Sequence, residues 1–194
     1  MLAGMDQAYT DDLIRRVAAR ASAERSSLRP PVSESDLISA EEYLGFRLHP
    51  LLRRLYAEVA DGGFGPEYTL FPLETAILQT PGKAAQAAVE LRDGERRYWP
   101  LEAIAVMDWG CAMNAVVDCR SPEGAVLLVD PNAGLPDRAK EWFLDSESLA
   151  RWLESWLDGT GWYCQEDPDE MEHSAPWPQA VTRLTERGPG NRLT

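Results

Sequence analysis

Cysteine is scarce in this chain: there are three, Cys111, Cys119 and Cys164, an odd number with no CxxC pair. That excludes a disulfide framework and a paired-cysteine zinc or redox motif. It predicts free, buried thiols in a reducing compartment. Histidine is scarcer still, with only His49 and His173, so a catalytic cysteine would have almost no choice of base. No apolar run approaches the roughly 18–20 residues that span a bilayer. The start, Met1-Leu2-Ala3-Gly4-Met5-Asp6, lacks a basic stretch leading into an apolar one. No signal peptide and no membrane contact are therefore predicted, and a cytoplasmic protein is expected. Positive charge is short as well: 19 Lys and Arg stand against 32 Asp and Glu, a formal net charge of −13. Such a surface repels nucleic-acid phosphates and anionic lipid, which argues against nucleic acid as a partner. It attracts basic proteins and speeds their encounter, although solubility alone also accounts for it.

The motifs of chemistry are missing too. Gly62-Gly63-x-Gly65 follows a helical pattern rather than a strand and has no Lys-Ser/Thr after it, so it is not a phosphate loop. The serines lack a GxSxG elbow. Glu41 and Glu42 are adjacent, and adjacent residues on a helix point in different directions rather than at one substrate. His49, just before Pro50, reads as a capping or surface residue. His173 lies beside Asp169, Glu170 and Glu172, but without EF-hand spacing this reads as a solvated acidic loop. No catalytic residue, metal or cofactor is expected.

What is present suits one domain with decorated ends. A globule of 194 residues buries roughly 70% of its unfolded surface and needs no cross-link or metal to fold. Residues 1–32 read as an N-terminal helix and a linker. Leu13, Ile14, Val17, Ala18 and Ala21 share one helical face, which docks either on the domain or on a second subunit, and Pro30-Pro31 breaks the pattern. Residues 33–160 form the main domain. Ser33 caps a helix with Leu37, Ala40, Glu41 and Leu44 at helical spacing, stopped by Gly45. Pro50 opens a second helix carrying Leu51, Leu52, Leu55, Tyr56 and Val59, ended by Asp61-Gly62-Gly63. Residues 68–73 read as a short strand and 84–91 as a helix. Residues 103–108, 112–118 and 125–130 read as strands, the last two joined by the hairpin-like Ser121-Pro122-Glu123-Gly124. A helix after Asp145-Ser146 carries Leu149, Trp152, Leu153, Trp156 and Leu157 on one side. Leu44, Leu55, Val117, Leu128, Leu153 and Trp156 are predicted to share one core. Residues 161–194 are an extension, acidic at first and mobile at its end.

The order and wording of these elements resemble the Smi1/Knr4 (SUKH) superfamily. Its members carry a helix with an internal glutamate ending in Leu-Gly, matched by Glu41 and Leu44-Gly45. A Leu-Pro opening of the next helix and a Gly-Gly turn follow, matched by Leu48, Pro50 and Gly62-Gly63. Leu70-Phe71-Pro72-Leu73 looks like the Leu-x-x-Leu phrase that closes the family's next strand. Gly110 with Val116-Val117-Asp118, Val126 to Asp130 and Ser146 to Leu157 match the later strands and the serine-capped helix. His49 is an insertion in that pattern, and Asp61 stands where the family usually has Asn. The resemblance implies an α+β domain, a mainly antiparallel sheet with one face packed on helices. Here it would carry an extra N-terminal helix and an irregular C-terminal extension.

The resemblance also implies a protein-binding module rather than an enzyme. Bacterial relatives are regarded as immunity proteins that neutralise toxins, many of them nucleases, and fungal relatives as interaction hubs. The expected partner is then a basic toxin domain, occluded by acidic groups that imitate phosphates. The candidate contacts, from charge and loop position, are Glu67, Asp108, Trp109, Asp130, Glu166, Asp167, Asp169, Glu170 and Glu172. Trp109 is expected in a turn between strands. Trp162 and Trp177 flank the acidic run, and either face the partner or pack the extension onto the domain. The alternative function is a regulatory or scaffolding binder of a host protein with no toxin involved. A cryptic hydrolase or metal enzyme is the remaining class.

Overall fold

The computed structural model describes residues 7–87, 98–134, 136–164 and 175–186. Helix α1 (Gln7–Glu24) buries Leu13, Ile14, Val17 and Ala21, the stripe expected from spacing. Of its two expected docking places, the chain's own domain is the one it takes. It packs on α3 (Pro50–Glu58) and α6 (Leu149–Asp158). Arg20 of α1 donates to the carbonyls of Trp156 and Leu157 at 2.9 and 2.7 Å. A cation is favoured there, at the negative end of a helix.

Helix α2 (Glu34–Leu44) starts on Ser33, whose hydroxyl accepts the Asp36 N–H, and stops at Gly45 with φ +81°. Glu41 is buried. Its carboxylate accepts the Leu48 N–H at 3.1 Å and pairs with Arg47 at 2.7 Å and Arg53 at 3.4 Å. This glutamate therefore ties the end of α2 to the start of α3, a physical reason for its place in the pattern. Glu42, its neighbour, points to solvent. At the Gly62-Gly63 turn, φ is +69° and +76°. A Cβ on Gly62 would lie 2.5 Å from the backbone of Phe71 and Pro72, so only glycine fits.

The strand expected over 68–73 does not form. Tyr68 lies in a turn and Thr69 is left-handed, with φ +64°, and only beyond it does the chain run beside the sheet, where the Phe71 N–H bonds the Val106 carbonyl at 2.7 Å. Pro72 has no N–H to continue a ladder. Leu73 instead begins α4 (Leu73–Leu78), with its N–H on the Asp61 carboxylate at 2.7 Å. Helix α5 (Lys83–Ala87) is the described part of the helix expected over 84–91, the remainder of which lies outside the described residues.

Five strands form one antiparallel sheet in sequence order: β1 (Ala103–Gly110), β2 (Met113–Asp118), β3 (Val126–Val129), β4 (Trp142–Ser146) and β5 (Ala175–Pro176). The β2–β3 pairing is the expected hairpin. β4 and β5 were not legible, and the cap of α6 is Ser148 rather than Ser146. Along β1 the register slips between Ala105 and Met107. At that bulge the Val106 carbonyl is taken by Phe71 and the Ala105 N–H by Thr80 Oγ1 at 2.9 Å, so this edge of the sheet is covered.

One face of the sheet lies on the helices. Leu44, Leu55, Val117, Leu153 and Trp156 are buried there as predicted, and Leu128 is half-buried against the same core. The opposite face is covered as well. Ala103, Ala105, Val116, Leu127, Val129 and Trp142 pack under Trp99, Trp177, Ala180 and Leu184. The last three come from the extension, where β5 is followed by α7 (Ala180–Thr185). Residues 175–186 are thus an ordered arm laid across the sheet. Burial on both faces explains why β1 reads as a continuous apolar run rather than an alternating one.

The arm is held by charge as well as by apolar contact. Arg183 donates to both oxygens of Asp118, at 2.5 and 3.0 Å, and to the Leu101 carbonyl at 2.6 Å. Both side chains are buried. All three cysteines are free, but the expectation of buried thiols fails. Cys111 and Cys164 are exposed and Cys119 is half-buried. No helix among the described residues is long and apolar enough to cross a membrane.

Candidate partner-binding surface

Strands β1, β2 and β3 reach the same end of the sheet with Asp108, Asn114 and Val129 in register. Two of the candidate acids lie there, Asp108 near the end of β1 and Asp130 just after β3. Asp108 is exposed and accepts the Gly110 N–H at 2.7 Å. Asp130, half-exposed after β3, accepts both the backbone N–H and the side-chain amide of Asn132 at 2.9 Å. That amide also donates to the Cys111 carbonyl at 3.0 Å, linking the β1–β2 turn to the loop after β3. Asn132 was not singled out in the sequence. The Asp-x-Asn spacing of an Asx turn is the signal that could have found it. Glu67 is exposed in the turn before Tyr68.

Trp109 is not in a turn but in β1, and it is only 6% exposed. Its side chain points to the helical face, opposite to that of Asp108. There it meets Tyr68 at 6.0 Å, Trp162 at 4.8 Å and Tyr163 at 5.3 Å between ring centres. The ring therefore supports this end of the sheet from beneath, and its face is not free for a partner. Trp162 Nε1 and Trp152 Nε1 donate to the two oxygens of Asp145, at 2.9 and 2.8 Å. Burial pushes the Asp145 carboxyl above its ordinary pKa, opposed by those two indole hydrogen bonds. Trp177 is 5% exposed against Trp142. For both Trp162 and Trp177, packing of the extension is the reading the contacts favour.

Glu67, Asp108 and Asp130 have no Lys or Arg partner among the described residues. Arg138, from the 3-10 turn before β4, is directed elsewhere: to buried Glu141 at 3.8 Å and over the Tyr98 ring at 4.9 Å. Glu166, Asp167, Asp169, Glu170 and Glu172 lie outside the described residues. The two-residue turn between β1 and β2 is Cys111-Ala112, with φ +51° and +66°. That geometry normally calls for Asn-Gly, so this end of the sheet stores backbone strain.

His49 is the N-cap residue of α3, its carbonyl accepting the Arg53 N–H at 3.0 Å, but its side chain makes no cap hydrogen bond and does not lie on the surface. It is 4% exposed, and its Nε2 donates to the Pro122 carbonyl at 3.1 Å, at the opposite end of the sheet. A carbonyl only accepts, so Nε2 carries the proton. Burial lowers the ring's pKa. Among the described residues no group of three or more His, Cys, Asp or Glu is placed to hold a metal ion.

A family model, SMI1 / KNR4 family (SUKH-1), matches residues 31–155. The chain belongs to the SMI1/KNR4 family. No curated protein matches it. The family match begins at the tandem prolines and ends inside α6. Helix α1 and the C-terminal arm are additions outside it, yet each buries its apolar residues in one of the two cores.

Proposed function

We propose that this SMI1/KNR4 domain is an immunity-type protein that binds a cognate bacterial toxin and blocks it by occlusion, without catalysis. The carrying observation is the trio Glu67, Asp108 and Asp130, acids without a basic partner among the described residues: Asp108 near the end of β1 and Asp130 just after β3 share one end of the sheet, and Glu67 precedes Tyr68, whose ring meets that of Trp109. The net charge of −13 supports a basic partner, and a nucleic-acid-active toxin is the class whose site such acids would imitate. The acidic run from Glu166 to Glu172 would add to the same attraction.

The test is stopped-flow association with the toxin domain encoded beside this gene. Opposite charges should make association fast at low salt. It should slow strongly as the Debye length falls from about 10 Å at 0.1 M to about 3 Å at 1 M. Two triple reversals separate the acid groups: Glu67, Asp108 and Asp130 to Lys, and Asp167, Asp169 and Glu170 to Lys. Each should slow association; the second should leave the melting temperature unchanged, and the first should lower it only modestly, through loss of the Asp108 and Asp130 loop hydrogen bonds. Rates independent of salt and of both reversals would remove the electrostatic reading. A neighbouring gene with no toxin domain, and a host protein captured instead, would favour the scaffolding role.

A further inference from the structure

Three of the six exposed large hydrophobic side chains among the described residues lie on the neighbouring helices α2 and α4. Tyr43 on α2 is 56% exposed, Ile38 on the same helix 41%, and Leu78 at the end of α4 74%. Tyr43 and Leu78, with half-buried Ile77, line a groove of about 560 Å³ between α2, α4 and the Pro30-Pro31 segment. The described lining holds three carboxylates, Asp36, Asp61 and Glu74, and no Lys or Arg. Asp61 is occupied: it holds the Leu73 N–H and pairs with Arg29 at 3.5 Å. Asp36 bonds only the Ser33 hydroxyl and its own N-cap. Glu74 and nearby Glu42 have no basic partner among the described residues.

We propose that this groove docks an amphipathic, basic helical segment of a partner protein. An apolar stripe would enter between α2 and α4, over Tyr43 and Leu78. Flanking Lys or Arg would meet Asp36 and Glu74. Two helices with a groove between them accept the ridge of a third, and peptide helices bound this way are read through anchors at i, i+3 or i+4, and i+7. The eleven residues of α2 give the groove a wall about 16 Å long, enough for roughly three turns. Tyrosine at the centre of an apolar patch is the usual anchor type. A second copy of this chain fits poorly. A two-fold pairing through the groove would bring Asp36 and Glu74 of the two copies together, at a like-charge cost. The inference shares no residue with Glu67, Asp108 or Asp130 and does not depend on the partner being a toxin.

The probe is a labelled Leu/Lys peptide of about fourteen residues, with leucines on one helical stripe. A scrambled Leu/Lys peptide of equal composition and a striped Leu/Glu peptide accompany it. Binding is followed by fluorescence anisotropy near physiological salt. The striped Leu/Lys peptide should bind wild type at least about tenfold more tightly than either control. Tyr43→Ser/Leu78→Ser and Asp36→Lys/Glu74→Lys should each weaken it by about tenfold or more. Glu147→Lys/Asp158→Lys, the same change of charge at exposed positions elsewhere, should leave it within about twofold. All these side chains are exposed, and melting temperatures report folding, with a small drop expected for Asp36→Lys/Glu74→Lys because both acids sit in the first turn of a helix. Absence of peptide binding, equal binding of the scrambled peptide, or an equal loss with the Glu147/Asp158 pair would overturn the proposal. Light scattering supplies the last arm. A monomer supports it, and a dimer abolished by Leu78→Ser would assign the groove to a second copy and refute it.

Discussion

Arg183 and Asp118 meet in the interior, where an unpaired charge is most costly. Each side chain is less than a tenth exposed, and the guanidinium reaches both carboxylate oxygens. Removing one partner of such a pair costs about 3–5 kcal/mol, much of it from the charge left behind. Arg183→Met should lower the urea-derived stability by that order. Adding Asp118→Asn should recover part of the loss, because the amide carries no charge and its oxygen can still accept the Arg120 N–H. A single variant as stable as wild type would mean that the pair does not anchor the arm. His49 acts in the opposite sense, as a base buried neutral. Burial lowers its pKa from the ordinary value, and the Pro122 hydrogen bond and the charges of Glu123 and Asp118 only partly oppose this. The unfolded chain therefore takes up the proton first as pH falls. The stability from a neutral His49 is complete above about pH 6.5 and is lost as pH falls through the lower folded value. Melting temperatures between about pH 7.5 and about pH 5 should fall more steeply in wild type than in His49→Gln. Parallel curves would show that His49 is not the group responsible.

Among the elements, the β1–β2 hairpin carries the sharpest conflict between local sequence and local shape. Cys111 and Ala112 both occupy the left-handed region, which costs an L-residue with a Cβ about 1–2 kcal/mol. Cys111→Asn/Ala112→Gly should relieve this and raise stability by about 1–2 kcal/mol in a denaturant titration. A loss of stability would show that the native pair makes contacts that outweigh the strain. Helices α1, α2, α3 and α6 and strands β1 to β3 were the legible elements. Ser33, Gly45, Pro50 and the apolar spacing marked α2 and α3 because caps and periodicity act within one turn. The segment 68–73 was misread because its apolar residues look the same whether or not the backbone is extended, and nothing local marks the left-handed Thr69 that interrupts it. Pro72 and the Asp61 carboxylate decided that it turns into α4. Strand β5, two residues ending in proline, has no sequence signature at all. Its pairing with β4 is fixed by where Trp177 packs.

For the molecule as a whole, two cores on a doubly covered sheet make a cross-link unnecessary. Adding reductant to the purified protein should leave its melting temperature unchanged, since the cysteines are free. A large drop would mean that Cys111 or Cys164, both exposed, had formed a bond between molecules. Cys119 should label far more slowly than those two, because burial has pushed its thiol up to about 12. By itself the sequence determined the family, the helical core and the excess of negative charge. Each is carried by residues near one another in the chain or by composition, and none needs distant contacts to be read. Only the tertiary structure decided that residues 175–186 close the second face of the sheet, that Trp109 is buried on the helical face, and that Tyr43 and Leu78 line one groove. Those facts depend on which surfaces meet across long stretches of chain. Burial of an apolar side chain is favoured by any apolar neighbour, so hydrophobicity says that a tryptophan will be covered but not by what.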